Sequence, residues 1–401
     1  MRSDFGKTTA LVLSGGGSRG AYEAGVWQAL RELGVRIDMV FGTSVGSING
    51  AMVAQDDFDL TLRLWKALDT SMIFDIDFNE QKNLPVPEVE LGGMTLEEAA
   101  AYAKEIFLHK GADTSRLRAI LEQYVNEDRI RSSAVKYGLV TVEMPGFTTH
   151  RLLAEDIPAG RLIDYILASA SCFPAAKAHV IDKISYVDGG YGDNLPLSLA
   201  LEKGAERIIA VDLQAVGYVN RQDLKLAGEK QLTLIKSQWD LGNFLIFDTE
   251  NSRRILRLGY LDAMKALGVY DGEWFTFVRG VFDARDLKRA DAAARIFDLD
   301  PLVLYGRDSF NDRLAEAVAA ARANMKRPIK IDFSLFTTRG RIMEILDSIT
   351  KKFSDNSLVL YIAEHIKAAP GRDNIFLSRP ALKLMPAEID AARYLVKYDL
   401  I

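Results

Sequence analysis

Ser44 stands inside Gly42-Thr43-Ser44-Val45-Gly46, and a carboxylate that could take its proton stands much further along, at Asp188-Gly189-Gly190. A serine hydroxyl and an activating carboxylate are the parts of acyl transfer through a serine ester. The apolar run 37–41 reads as a strand and residues 45–55 read as a helix, so the pentapeptide is a sharp strand-to-helix turn. Gly42 and Gly46 remove the Cβ atoms that would collide where strand and helix cross. The helix points its first amides and positive dipole end at charge developing on Ser44. An exposed aspartate, with a pKa of about 4, is a poor base. Asp188 therefore needs partial burial and a direct hydrogen bond to the serine, and Gly189 and Gly190 permit that approach. Taken singly, the pentapeptide also fits a structural junction, and Asp188 also fits a turn cap.

A second glycine-rich segment, Gly15-Gly16-Gly17-Ser18-Arg19-Gly20, follows the apolar strand at 10–13 and opens a helix carrying Tyr22, Val26, Leu30 and Leu33 on one face. Consecutive glycines let backbone amides approach a ligand oxygen, whether phosphate or oxyanion. As G-x-G-x-x-G it also fits a dinucleotide fingerprint, with Asp38 near the spacing expected of the ribose-binding acid.

In this order, the glycine loop with its arginine, the G-x-S-x-G elbow and the D-G-G turn resemble the patatin-like phospholipase family. The resemblance extends through Ala168-Ser169-Ala170-Ser171-Cys172-Phe173-Pro174 and the strand 207–213, about the first half of the chain. It implies Ser44 as nucleophile and Asp188 as general base, with the amides of Gly15, Gly16, Gly17 and Ser18 as oxyanion hole. Arg19 matches the family's basic loop position, where it either neutralises lipid phosphate or braces the loop. The sequence departs at Ser14, where many members place aspartate, and at Ala175-Ala176-Lys177-Ala178-His179, which replaces a hydrophobic Pro-rich continuation. The implied activity is hydrolysis of phospholipid, lysophospholipid or related acyl esters, with no cofactor, no metal and no calcium requirement. An acyltransferase on the same dyad, and a nucleotide-binding or regulatory module with an inert elbow, are the alternatives.

The histidines are His109, His150, His179 and His365; in the α/β-hydrolase order the last would complete a triad, but it sits in a helical stretch that suits a surface or capping role. Cys172 is the single cysteine, which excludes an intrachain disulfide framework and reads as packing. With 401 residues, 48% hydrophobic and net charge −5, the chain reads as a cytoplasmic enzyme that touches lipid peripherally and does not bind nucleic acid. No apolar run of about 18 residues is long enough to span a bilayer, and no signal peptide is expected ahead of the first strand. A homo-oligomer or an activating partner is compatible with this reading.

Strands near 9–14, 37–42, 137–143, 184–188 and 207–213 alternate with helices, so the expected fold is a three-layer α/β/α core with a mainly parallel sheet. The core is placed at 8–215, with a lid-like insertion at 56–135. Residues 216–401 are expected as a mostly helical extension packed on it. Met72, Ile73, Phe74, Ile76 and Phe78, and the run 239–247, are either acyl-chain contacts or core. Arg253, Arg254 and Arg257 share one side of a helix, as either a solvated face or a headgroup contact.

Overall fold

A computed structural model describes residues 6–73, 113–173, 175–324, 354–371 and 374–401. The chain divides into two compact units, Met1–Ala266 and Leu267–Ile401. In the first, the elements are β1 (Thr9–Leu13), α1 (Gly20–Glu32), β2 (Met39–Thr43), α2 (Val45–Ala54), α3 (Phe58–Ala67), α4 (Thr70–Ile73), α5 (Ser115–Tyr124) and α6 (Glu127–Arg131). They continue as β3 (Lys136–Met144), β4 (Thr148–Leu153), α7 (Leu162–Ser169), β5 (His179–Ile181), β6 (Ile184–Asp188), α8 (Leu197–Glu202), β7 (Arg207–Val211), α9 (Arg221–Gly228), β8 (Gln231–Ile235) and α10 (Thr249–Ala266).

One eight-stranded sheet runs β5-β6-β3-β2-β1-β7-β8, with β4 paired to β3 off this path. The pairs from β3 through β8 are parallel, as the alternating pattern predicts, while β4, β5 and β6 are antiparallel. Alternating side chains face opposite layers. Ala10, Val12, Met39, Phe41 and Val140 join Leu197, Leu199, Ala200 and Ala227 of α8 and α9 in one core. Val40 faces the other way, against α2 at Gly50. The result is the α/β/α sandwich expected.

The first unit ends at Ala266, not near 215, because two later elements complete it. β8 adds a parallel strand to β7. α10 crosses α1 so closely that a Cβ on Gly25 would lie 1.9 Å from the Leu256 carbonyl oxygen, and one on Gly259 2.1 Å from that of Tyr22. The Tyr22 hydroxyl donates to Asp262 across the same crossing (2.7 Å).

The second unit carries a small sheet of β9 (Tyr270–Asp271), β10 (Thr276–Val278) and β11 (Leu304–Tyr305) with helices α11 (Ala284–Ile296), α12 (Arg307–Asn324), α13 (Asp355–Ala368), α14 (Arg379–Leu384) and α15 (Pro386–Lys397). Its core includes edge-to-face aromatics, Phe277 and Phe282 on Phe310 and Phe310 on Tyr394. Residues 95–109 and 339–353, whose spacing predicts amphipathic helices, lie outside the described residues. Among the described residues no helix is long and apolar enough to cross a membrane.

Candidate active site

The register of β3 brings the two candidate residues together. One edge of β3 holds β2 in parallel up to Thr43 opposite Val140, then β6 in antiparallel with Asp188 opposite Thr141. The C-terminal ends of β2 and β6 therefore meet head to head. Ser44 follows Thr43 directly, which places its side chain beside the Asp188 carboxylate, near enough to pull that carboxyl's pKa down.

Ser44 occupies the turn at φ 54°, ψ −125°, a conformation that non-glycine residues rarely adopt. It is held there by its neighbours. The Ser44 amide donates to Ser169 Oγ (2.9 Å), and the Ser44 carbonyl accepts from the Ser47 hydroxyl (2.6 Å). A Cβ on Gly42 would fall 2.0 Å from the Gly46 carbonyl oxygen, and one on Gly46 2.5 Å from that of Leu13, so both elbow glycines are demanded by close approach.

Asp188 is buried and receives the Gly190 amide (2.8 Å). Burial raises its carboxyl from the usual 3.8 to about 6, while the Ser44 side chain and the Gly190 amide pull the other way. That value suits a base working near neutral pH. Its own amide is anchored on the Ser171 carbonyl (2.8 Å), so the small-residue segment before it orients both Ser44 and Asp188.

The glycine loop is narrower in capacity than its sequence implies. Gly15 N–H donates to the Asn194 carbonyl (3.0 Å) and Ser18 N–H to the Phe244 carbonyl (2.8 Å), so neither is available to an oxyanion. The amides of Gly16 and Gly17, which has φ 53°, have no such partner among the described residues. Arg19 is a brace: Nε donates to the Gly242 carbonyl (2.8 Å) and Nη1 to those of Leu213 and Gln214 (3.1 and 3.0 Å). Gly20 begins α1 behind the loop. Ser14 caps the strand end by accepting from the Leu213 amide (2.9 Å). Asp38 lies at the opposite edge of the sheet, where it accepts from the Thr9 amide and pairs with Arg36. Asp38 therefore stands at the N-terminal end of β2, not at its C-terminal end beside the glycine loop, where a ribose-binding acid belongs.

Asp193 and Asn194 carry no motif yet bind the Asp188 turn to the rest. Asn194 accepts from Gly15 and donates its amide to the Tyr218 carbonyl (2.6 Å). Asp193 is fully buried, pairs with Arg151 of β4 (2.9 Å) and accepts from Ser198 (2.8 Å), while its carbonyl receives Thr43 Oγ1 (2.7 Å). Arg151→Met would leave that carboxylate without its cation. It is expected to lower the unfolding free energy by about 3 kcal/mol in urea titrations and to slow ester turnover with it.

Ser44 and Asp188 open on a cavity of about 540 Å³, with walls that include Ile48, Met52, Trp65, Leu121, Phe173, Tyr191 and Tyr218. Ile73, Phe244, Leu245 and Phe247 from the two sequence-flagged apolar segments also line it; Met72 is exposed, and Phe74, Ile76 and Phe78 lie outside the described residues. Cys172 lines it with its thiol pushed up to about 12 by burial and by Asp188, an unreactive state. The described histidines are engaged elsewhere: His150 with Glu143, His179 with Asp164, and His365 with the Tyr361 carbonyl. His109 is outside the described residues. Of the arginines on α10, Arg254 donates to Asn251 and the Asp240 carbonyl, and Arg257 lies over the Tyr260 ring.

The patatin-like phospholipase family model matches residues 11–201. Patatin-like phospholipase domain-containing protein 6 of Mus musculus is 30% identical over 229 residues, 56% of this chain and 14% of that protein. Lysophospholipase NTE1 of Mycosarcoma maydis is 28% identical over 216 residues, 53% of this chain and 10% of its own length. The chain thus spans a small part of the curated relatives it matches. Among solved structures, VipD from Legionella pneumophila aligns over 98% of this chain and 92% of its own at 13% identity, with a TM-score of 0.42. Residues 11–201 of this chain are a domain of the patatin-like phospholipase family.

Proposed function

We propose that the chain is a serine lipid acyl hydrolase that cleaves carboxylic esters of phospholipids, lysophospholipids or related lipids. The observation that carries this reading is the meeting of Ser44 and a buried Asp188 at the ends of β2 and β6, both lining one apolar cavity. Ser44 Oγ attacks the ester carbonyl as its proton passes to Asp188. The amides of Gly16 and Gly17 receive the tetrahedral oxyanion. Asp188 then gives the proton to the leaving alcohol, and the acyl group stays on Ser44. Water, deprotonated by Asp188, attacks that ester and releases the acid. Contact with lipid is peripheral, through the exposed Phe173, Tyr191, Val216 and Tyr218 at the cavity mouth. The free Cys172 agrees with a cytoplasmic setting.

A fluorophosphonate probe is expected to add to Ser44, located by peptide mass spectrometry, and mixed micelles of phospholipid and lysophospholipid are expected to release fatty acid. An added alcohol acceptor separates hydrolysis from transfer: acid formation independent of acceptor supports the hydrolase, and acceptor-dependent ester formation replaces it with a transferase. A folded protein that is neither labelled nor active on any ester defeats the reading.

A further inference from the structure

The cavity has a closed end and an open end, and Ser44 lies between them. α2 contributes Val45, Ile48, Asn49 and Met52 to the wall, one face of a helix that starts at the nucleophile. At a rise of 1.5 Å per residue, Met52 stands about 12 Å down the axis from Ser44. That end is sealed: Met52 is 4% exposed, with Leu121 at 2% and Val125 at 7%. Gln55, one turn below, holds the Tyr124 carbonyl at 2.9 Å and so pins α5 against the end of α2. The opposite end carries Tyr191, three residues beyond Asp188, at 48% exposure, with Tyr218 at 56% and Val216 at 64%.

The wall between the ends stays apolar because its polar side chains are satisfied within the protein. Asn49 Nδ2 donates to the Gly20 carbonyl (3.0 Å) and to Glu23 Oε2 (2.8 Å), and its Oδ1 accepts from Trp65 Nε1 (2.9 Å). Trp65 in turn stacks on Phe247 with ring centres 6.2 Å apart. A hydrocarbon can lie along this face without stranding a donor or acceptor.

Resting on the hydrolase reading above, we infer that the acyl chain of the substrate runs inward from Ser44 along α2, that the alcohol leaves over Tyr191 and Tyr218, and that Met52 gauges chain length. Each methylene that reaches the closed end is buried, which at about 0.8 kcal/mol raises kcat/KM about fourfold per methylene. The gain stops where the chain meets Met52, whose flexible thioether is the last surface before α5.

The test is the chain-length profile of kcat/KM on p-nitrophenyl esters from acetate to palmitate for wild type, Met52→Trp and Met52→Ala, with melting temperatures to confirm folding. Wild type is expected to rise with length and then level. Met52→Trp moves the break to shorter chains and lowers the long-to-short ratio by about tenfold or more; Met52→Ala moves it to longer chains. Should Met52→Trp fail to fold, Leu121→Ala, which opens the same end, is expected to shift the break as Met52→Ala does. Identical profiles in all folded variants overturn the gauge while leaving the hydrolase reading in place. A folded wild type inactive on every ester and unlabelled at Ser44 overturns both.

Discussion

Ser44→Gly is expected to abolish ester turnover, by about 10⁴-fold or more, and to raise the melting temperature of the protein. The first effect follows from removing the nucleophile. The second follows from the backbone: φ 54° with ψ −125° costs an L-residue on the order of 1–2 kcal/mol, which glycine does not incur. For a unit of this size that corresponds to a rise of about 4 °C by calorimetry. Ser44→Ala is the control, since alanine keeps the Cβ and its strain while losing the hydroxyl beside Asp188. It should lose turnover without gaining stability. Turnover surviving in either variant would place the nucleophile elsewhere; equal melting temperatures for the glycine and alanine variants would remove the strain argument.

The elbow was legible because its demands are local. A strand, a turn that admits no Cβ on either side of the serine, and a helix are written within ten residues, and Gly42 and Gly46 meet those demands in the structure. The meeting of Ser44 and Asp188 is not local. It depends on how far β2 and β6 each reach along one edge of β3, a register that no run of residues states and that family resemblance alone anticipated. The same limit explains the glycine loop. The resemblance implied the amides of Gly15, Gly16, Gly17 and Ser18, yet those of Gly15 and Ser18 are taken by the carbonyls of Asn194 and Phe244, backbone groups whose positions no motif marks.

The domain boundary shows a different failure. Gly25 and Gly259 sit mid-helix, where glycine is costly, and that cost was the available sign that α1 and α10 touch. Read with it, residues 216–266 would have been assigned to the first unit. Strands β4 and β5 escaped notice because their side chains are largely half-buried or exposed, so the alternation that marks a strand is weak.

Asp188 is expected to set both the pH dependence of activity and a stability penalty that activity requires. With the carboxyl at about 6, kcat/KM should climb with pH through that value and level above it, lying about tenfold below the plateau at pH 5. The unfolded chain ionises this group near 3.8, so between about 4 and about 6 the folded state holds the proton more tightly. Stability from this site is therefore present at low pH and lost as pH rises, by about 3 kcal/mol once the folded group has ionised. Asp188→Asn keeps the shape, and its side-chain oxygen can still accept from Gly190, but it carries no charge and cannot take the Ser44 proton. Turnover should fall by about 10³-fold. The variant should also be more stable than wild type at pH 8, with the difference disappearing by pH 4, where the wild-type carboxyl is already neutral. A flat pH profile between 5 and 8, or an asparagine variant no more stable at pH 8, would show that Asp188 is not the buried ionised base. The charge that makes the site reactive is, on this account, the same charge that the surrounding core disfavours.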